Sequence, residues 1–339
     1  MYATLTLPAG HELPAPYRAT TVRVRSAHEL QSALRHARHC AVTLDGSGMD
    51  RVLRVDAGRG LLELQAATTW TELARSLEPH KIALDAFSRT PGLPATVGEA
   101  VSQAAPGPDG LPVTAHVTAL TLVTPEGELR RADRDTNTEL LRLILGGQGV
   151  IGVLYSVTLS IDSLGRSAAN AVAPVELAIA PTACATAASC TIECLLPPAG
   201  LEGFLKEVRS LLEDRRLALQ GISVRRLLPE ASCRLNGSTR EWAAVEIRFG
   251  MKTTLGASVA AAEVRRALLA AALELGGSFP IRDVRDATAR QLDACYPMLR
   301  DFLAVKRRGD PAERLQNPWY RDVATKLRTK SCAVRWGRD

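Results

Sequence analysis

The sequence predicts an α+β protein in two parts, with an α/β second domain, and three observations carry this. The chain has 339 residues, 46% hydrophobic and 23% charged, enough for two cores. Strand-like and helix-like stretches alternate along it, but not as a regular βαβαβ series. A polar stretch without periodicity, "DSLGRSAAN" from Asp162 to Asn170, separates two halves of different texture. The expected domains are 18–164 and 170–339.

The elements follow in order. "TTVRVRS" alternates as a strand does. Ser26 then caps "AHELQSALRHARHC", with Glu29 three residues on as in a capping box. "AVTLDGSGMDRVLRVDAGRGLLELQ" reads as three strands joined by "DGSG" and "DAGRG". Thr69 is placed to cap "WTELARSL", and a small helix lies inside "PGLPATVGEAVSQAAPGPDG". "VTALTLVTPEGELRRA" is a hairpin turning at "PEG", "TNTELLRLIL" a helix capped at Thr136 or Asn137, and Val150 to Ile161 a strand.

In the second half, "AIAPTACATAASCTIECLLPP" alternates small and apolar residues. "AGLEGFLKEVRSLLEDRRLA" places Phe204, Leu205, Val208, Leu211 and Leu212 on one side of a helix. "GISVRRLL" and "WAAVEIRFGM" are strands, and "SVAAAEVRRALLAAALELGG" is a helix stopped by Gly276-Gly277. "SFPIRDV" is expected as a short strand, "ATARQLDACYPMLRDFLAVKRR" as helix around Pro297, and "GDPAERLQNPWYRDVATK" as a turn-rich tail.

Composition narrows the function. The net charge of +6 comes from dispersed arginines, and aromatics make up only 4%. A nucleic-acid surface clusters Lys and Arg and interleaves stacking rings, so none is expected. No apolar run is long enough to span a bilayer, and the N-terminal residues lack the pattern of a secretory signal. Seven cysteines, Cys40, Cys184, Cys190, Cys194, Cys233, Cys295 and Cys332, suit free thiols in a reducing cytoplasm. Cys184, Cys190 and Cys194 have five and three residues between them, which is not a zinc-finger spacing, so no metal site is expected. Anionic small ligands are compatible with the charge but not implied by it.

The glycines of "LRLILGGQGVIGVLYSVTLS" allow three readings. Gly146 and Gly147 suit the end of a helix. Gly149 and Gly152 suit close approach of backbone to a flat ligand. Gly147 to Gly152 also spell G-x-G-x-x-G, but a dinucleotide turn needs strand before and helix after, and here the order is reversed. Upstream, Thr96, Ser102 and Gln103 are polar handles among small residues between Gly98 and Gly107.

Taken together, "TVGEAVSQAAPGPDG", the "TPEGE" hairpin and "GGQGVIGV" resemble the FAD-binding domain of the vanillyl-alcohol oxidase / p-cresol methylhydroxylase family. "VTLDGSGMDRVLRVD" resembles its earlier strands, and "YPMLRDFLAVKRRGDPAERLQN" the closing segment of FAD-linked oxidases, so the likeness spans nearly the whole chain. It implies an α+β fold: a two-subdomain FAD-binding (PCMH-type) domain followed by an α/β substrate domain. It also implies non-covalent FAD contacted by Thr96, Val97, Gly98, Ser102, Gln103, Gly107, Gly149, Ile151, Gly152 and Val153.

The chain departs from that family in three places. "LRHARHC" runs directly into "AVTLDGSG", where the family has a further strand and a glycine-rich pyrophosphate loop. Losing two charge-assisted hydrogen bonds there costs about 3–6 kcal/mol. Glu99 follows Gly98 where the family has a second glycine, and a carboxylate beside a pyrophosphate is repelled. The stretch after Gly276-Gly277 offers Arg282, Asp283, Arg285 and Asp286 but no imidazole, and reads equally as a solvated ion-pair face. His36 and His39 lie in the first helix, not in a loop where they could attach a flavin. Lys306 reads either as a group near the flavin or as a cation at a helix C-terminus. The implied activity is FAD-dependent oxidation of a small hydroxylated substrate by an oxidase or dehydrogenase, with no catalytic base identified. The alternative is a family member without FAD that works as a binding or assembly subunit with a protein partner.

Overall fold

The structure is a computed structural model and describes residues 2–5, 20–37, 42–177, 188–215, 217–235 and 240–328. His39, Cys40, Cys184 and Cys332 lie outside them. Three sheets divide the molecule. The first is small and mixed, built from β1 (Tyr2–Leu5), β2 (Thr20–Arg23) and, after α1 (Ala27–His36), β3 (Val42–Asp45). Ser26 caps α1 as its sequence requires, its Oγ accepting from the Glu29 N–H at 3.2 Å. The Glu29 carboxylate turns back to the Arg25 N–H at 2.8 Å, one residue earlier than in a capping box.

The second sheet is antiparallel, in the order β4 (Val52–Asp56), β5 (Leu61–Gln65), β8 (Val153–Ser160), β6 (Val117–Val123), β7 (Leu129–Asp133). Five helices share one apolar core with it: α2 (Trp70–Leu77), α3 (Asp85–Arg89), α4 (Val97–Gln103), α5 (Thr138–Ile144) and α6 (Ile161–Ala169). Thr69 and Glu72 form a full capping box on α2. Trp70 stacks on Phe87 at 4.7 Å, worth about 1 kcal/mol beyond the area they bury. α6 occupies the stretch read as a boundary without pattern. Ser160 caps it and Ile161 and Leu164 are buried, but two apolar positions in nine residues are too few to reveal a helical period.

The third sheet has the order β10 (Ala188–Leu196), β12 (Trp242–Met251), β11 (Ala218–Leu227), β9 (Val175–Glu176). One face is covered by α7 (Leu201–Asp214) and α8 (Leu255–Glu274), through Phe204, Val208, Val264 and Leu268. The other face looks towards the loop after α4. The chain then forms a 3₁₀ segment, Ile281–Asp286, where a strand is expected. Pro280 removes a backbone donor, and only Ser278 bridges to a strand, at Leu195. α9 (Ala289–Cys295) and α10 (Leu299–Gly309) flank Pro297 as the sequence predicts. The expected turn-rich tail instead contains β13 (Leu315–Gln316) and α11 (Pro318–Arg328), with Trp319, Tyr320 and Val323 buried. β13 pairs with β1, so the last described segment completes the first sheet. Among the described residues, no helix is long and apolar enough to cross a membrane.

Candidate functional site

Polar chemistry gathers where the third sheet faces the first domain. A cavity of about 280 Å³ lies there, between the loop after α4 and the uncovered face of β10, β11 and β12. Sheet register explains its wall. Arg225 on β11 and Leu195 on β10 both stand opposite Ala244 on β12, so these side chains share a face with Glu193. Ala244 carries only a methyl group, which leaves the path from Arg225 to Glu193 clear. Glu193, 6% exposed, accepts from Arg225 Nη2 at 2.5 Å and Nε at 3.2 Å. Arg282, from the 3₁₀ segment, donates to the other carboxylate oxygen. Burial works to raise the Glu193 carboxyl, and the two guanidinium groups outweigh it, holding it below the usual range.

Two further arginines line the cavity. Arg234 donates through Nη1 to Glu139 at 3.2 Å, while its Nε is buried with no partner among the described residues. Arg240 lies 3.9 Å from the centre of the Trp242 ring and donates to the Gly276 carbonyl at 2.7 Å. The Tyr296 hydroxyl donates to the Phe279 carbonyl, and burial pushes it above the tyrosine range. Burial also raises the Cys295 thiol. The lining thus holds an ionised, ion-paired acid and a protonated phenol and thiol. None of these three is poised to exchange a proton near neutral pH. Leu195, Leu227 and Trp242 supply an apolar side.

Of the charged stretch after Gly277, Asp283 and Arg285 are exposed, as in a solvated ion-pair face, while Arg282 and Asp286 are half-buried. Arg282 reaches Glu193 inside the cavity wall, and Asp286 pairs with Arg265 at 2.6 Å. Lys306 is fully buried against Asp310, whose oxygens also accept from the backbone N–H of Arg314 and Leu315 at 2.9 Å each. It locks the C-terminal turn and does not line the cavity.

The residues that the resemblance assigns to flavin are dispersed. Gln103 lines the charged cavity, and its amide donates to Glu99 at 3.3 Å, which accounts for that carboxylate. Gly107 lines a neighbouring cavity of about 690 Å³. Thr96 caps α4. The amides of Val97 and Gly98 donate to the Thr68 and Ala66 carbonyls at 3.0 and 2.8 Å. A Cβ on Gly98 would meet the Ala66 backbone oxygen at 2.6 Å, so this glycine serves packing of α4 on the strand end. Ser102 is buried, its carbonyl accepting from the Gln148 N–H at 2.9 Å. Ile151 is half-buried between two cores, and Gly152 packs on Leu122. Gly149 differs: at φ +69° it faces open space, with no atom within 4 Å of where a Cβ would stand. Gly146, at φ +67°, ends α5.

Val153 lies in the seam between the first two sheets. There Val24, Leu44 and Met49 meet Ala66, Val153 and Leu154, leaving a cavity of only about 20 Å³. Hydrogen bonds sew the seam shut. Gln65 Nε2 donates to the Arg25 carbonyl at 3.1 Å, and Gln31 and Arg35 donate to the Gly127 carbonyl at 3.0 and 3.2 Å.

Glu193, Arg225, Arg234 and Arg240 escape the sequence reading. One signal was present: Glu193 is a single carboxylate in the apolar run "CTIECLL", and a buried acid needs a partner.

Comparison with known proteins places this geometry. Residues 18–133 match the family described as FAD binding domain. No curated protein matches the chain in sequence. Two solved structures of alkyldihydroxyacetonephosphate synthase, in P212121 and in P1, share the fold, with TM-scores of 0.57 and 0.55. They are 10% and 11% identical; each alignment covers 87% of this chain, and 75% and 76% of theirs. The match supports FAD as the cofactor of residues 18–133. The described residues suit it unevenly: a cavity opens beside Gln103, but the Val97 and Gly98 amides are engaged and the seam at Val153 is filled. The chain thus carries a segment, residues 18–133, that matches the FAD binding domain family, within a fold shared with the two alkyldihydroxyacetonephosphate synthase structures.

Proposed function

We propose that the chain is an FAD-dependent oxidoreductase that oxidises a small hydroxylated substrate in the cavity between its FAD binding domain and its third sheet. One observation carries this reading: the charged, partly apolar cavity opens beside Gln103, at the junction where the FAD binding domain meets the second domain. FAD, when bound, supplies the acceptor for a hydride from the substrate carbon. The residues of this chain do the rest. Arg225 and Arg282 are fixed by Glu193 and orient a polar substrate group. Leu195, Leu227 and Trp242 keep water from its other side. Gln103, Gly107, Gly149 and the neighbouring backbone are the contacts proposed for flavin. A reducing cytoplasm suits the free thiols of Cys190, Cys194, Cys233 and Cys295.

The test is a visible spectrum of the purified protein after gel filtration with added FAD. Flavin bands that travel with the protein, together with a raised melting temperature, are the expected result. A colourless protein that FAD does not stabilise overturns the reading. The filled seam favours a second reading, in which the chain has lost FAD and works as a binding or assembly subunit. The same spectrum separates the two.

A further inference from the structure

We infer that the seam between the first two sheets is a hinged groove, latched shut at the β6–β7 hairpin turn by Gln31, Arg35 and Arg314. The inference rests on the FAD reading only for what an open seam admits. Among the described residues no strand pair joins the two sheets, so no β-ladder crosses the seam. Apolar side chains meet across it, and hydrogen bonds fasten it on two sides. β8 lies between β5 and β6, so fastenings at β5 and at the β6–β7 turn flank Val153. On the β5 side the chain itself crosses, through residues 46–51, and Gln65 holds that crossing. Its Nε2 donates to the Arg25 carbonyl and its Oε1 accepts from the Arg51 N–H, at 3.1 Å each. A covalent crossing cannot part, so this side is the hinge.

On the other side the fastenings are side chains on backbone carbonyls. Gln31 and Arg35, on α1, donate to the Gly127 carbonyl at 3.0 and 3.2 Å. Arg314 reaches both sides of the seam. Its Nη1 donates to the Pro125 carbonyl of the turn and its Nη2 to the Leu34 carbonyl of α1, at 2.5 Å each. A charged donor on a neutral carbonyl holds more firmly than a neutral pair, yet it parts without separating two opposite charges. The segment that carries Arg314 is itself attached to both sides. Leu315 packs in the core of the first sheet and pairs with Leu5. Asn317 donates to the Gln148 carbonyl, ahead of β8, at 2.7 Å. Asp310 fixes the segment by accepting from the Arg314 and Leu315 N–H groups. A strap from late in the chain thus spans a gap within residues 18–133, the stretch that matches an FAD binding domain. Closed, the seam leaves about 20 Å³, far below the volume of a ligand pocket. Contacts fastened by a few hydrogen bonds at one margin are those that open locally while the rest of the fold holds.

The test is alkylation of a thiol placed in the seam. Val153→Cys puts it where the native side chain is 8% exposed. Its reaction with iodoacetamide is followed by peptide mass spectrometry on the full chain, as purified and without added flavin. Adding Arg314→Gln should speed labelling at position 153 at least tenfold. Adding Arg35→Gln instead should speed it at least threefold, and keeps the test alive should the first variant fail to fold. Arg54→Gln, whose side chain is 66% exposed and pairs with Asp56 on β4, should leave the rate unchanged. Cys194, fully buried in the core of the third sheet, is the internal reference, and its labelling should stay constant. Labelling at position 153 that keeps the parent rate in both latch variants overturns the inference. So does labelling that rises only in step with Cys194, because that is general loosening and not an opening of the seam. The readout needs no flavin, so a failed latch and a colourless protein in the FAD experiment are separate results.

Discussion

Two junctions in this molecule are built on opposite principles. The seam between the first two sheets is apolar on both sides, and side chains meet across it with room for little more than a water molecule. The junction between the FAD binding domain and the third sheet is larger and lined by arginines, two of them paired with Glu193. A closed apolar interface is stable as it stands, because dispersion and burial are satisfied by the chain itself. A cavity lined by charges depends on its ion pairs, because removing one partner leaves the other buried and unpaired. The residues that the resemblance assigns to flavin are spread over both, with Val153 in the seam and Gln103 at the second junction, whereas the polar chemistry is concentrated in the second.

The largest effect should come from the charged junction. Glu193→Gln removes the anion between Arg225 and Arg282 and leaves two guanidinium groups facing each other in a confined space. It should cost about 3–5 kcal/mol in chemical denaturation. A loss below about 1 kcal/mol would mean that solvent screens the pair, and that the two junctions differ less than their linings suggest.

The seam should respond differently. Met49→Ala deletes a nearly buried side chain where the cavity is already at its minimum, and should cost about 2–3 kcal/mol. If it instead raises FAD affinity, measured by flavin fluorescence quenching, the seam is a cofactor groove that the side chain occupies in the empty protein.

The smallest effect concerns His116, buried beneath the second sheet with Nδ1 beside the Ser163 hydroxyl at 2.8 Å. Burial holds it below the ordinary histidine range, and its Nε2 has no partner among the described residues. The unfolded chain takes up a proton near pH 6.5 while the folded one does not. Stability from this group is therefore complete above that pH and declines as pH falls towards the lowered native value. Melting temperatures between pH 7.5 and 5.5 should fall more steeply for the parent than for His116→Gln.

What could be read in advance follows the range of the interactions. Caps act within three residues, so Ser26 and Thr69 announce their helices. The hairpin at Gly127 needs only its own turn, with φ +83° at that glycine. The elements that were missed are those without a local signature. α6 has two buried apolar residues, the 3₁₀ segment has a strand-like composition, and α11 hides in a polar stretch whose Trp319 and Tyr320 are buried only because a neighbouring core accepts them.

The glycines divide in the same way. Their abundance between Gly146 and Gly152 was plain, but their roles were not. Gly146 ends a helix, Gly152 makes room for Leu122, and Gly149 alone faces open space. Which of these a glycine does depends on what lies within 4 Å of it, and that is a tertiary fact.

By itself the sequence determined the alternation of strands and helices, most of their caps and turns, and the family to which their order is similar. Those properties rest on backbone preference and on the periodicity of apolar residues, both written within a few positions. The tertiary structure alone decided that Glu193, Arg225 and Arg282 form one group, because they come from three separate segments: the register of β10, β12 and β11 brings Glu193 and Arg225 together, and the bridge from Ser278 to Leu195 brings in the 3₁₀ segment of Arg282. It alone decided, too, that the seam is filled, since no single segment records how closely two sheets approach.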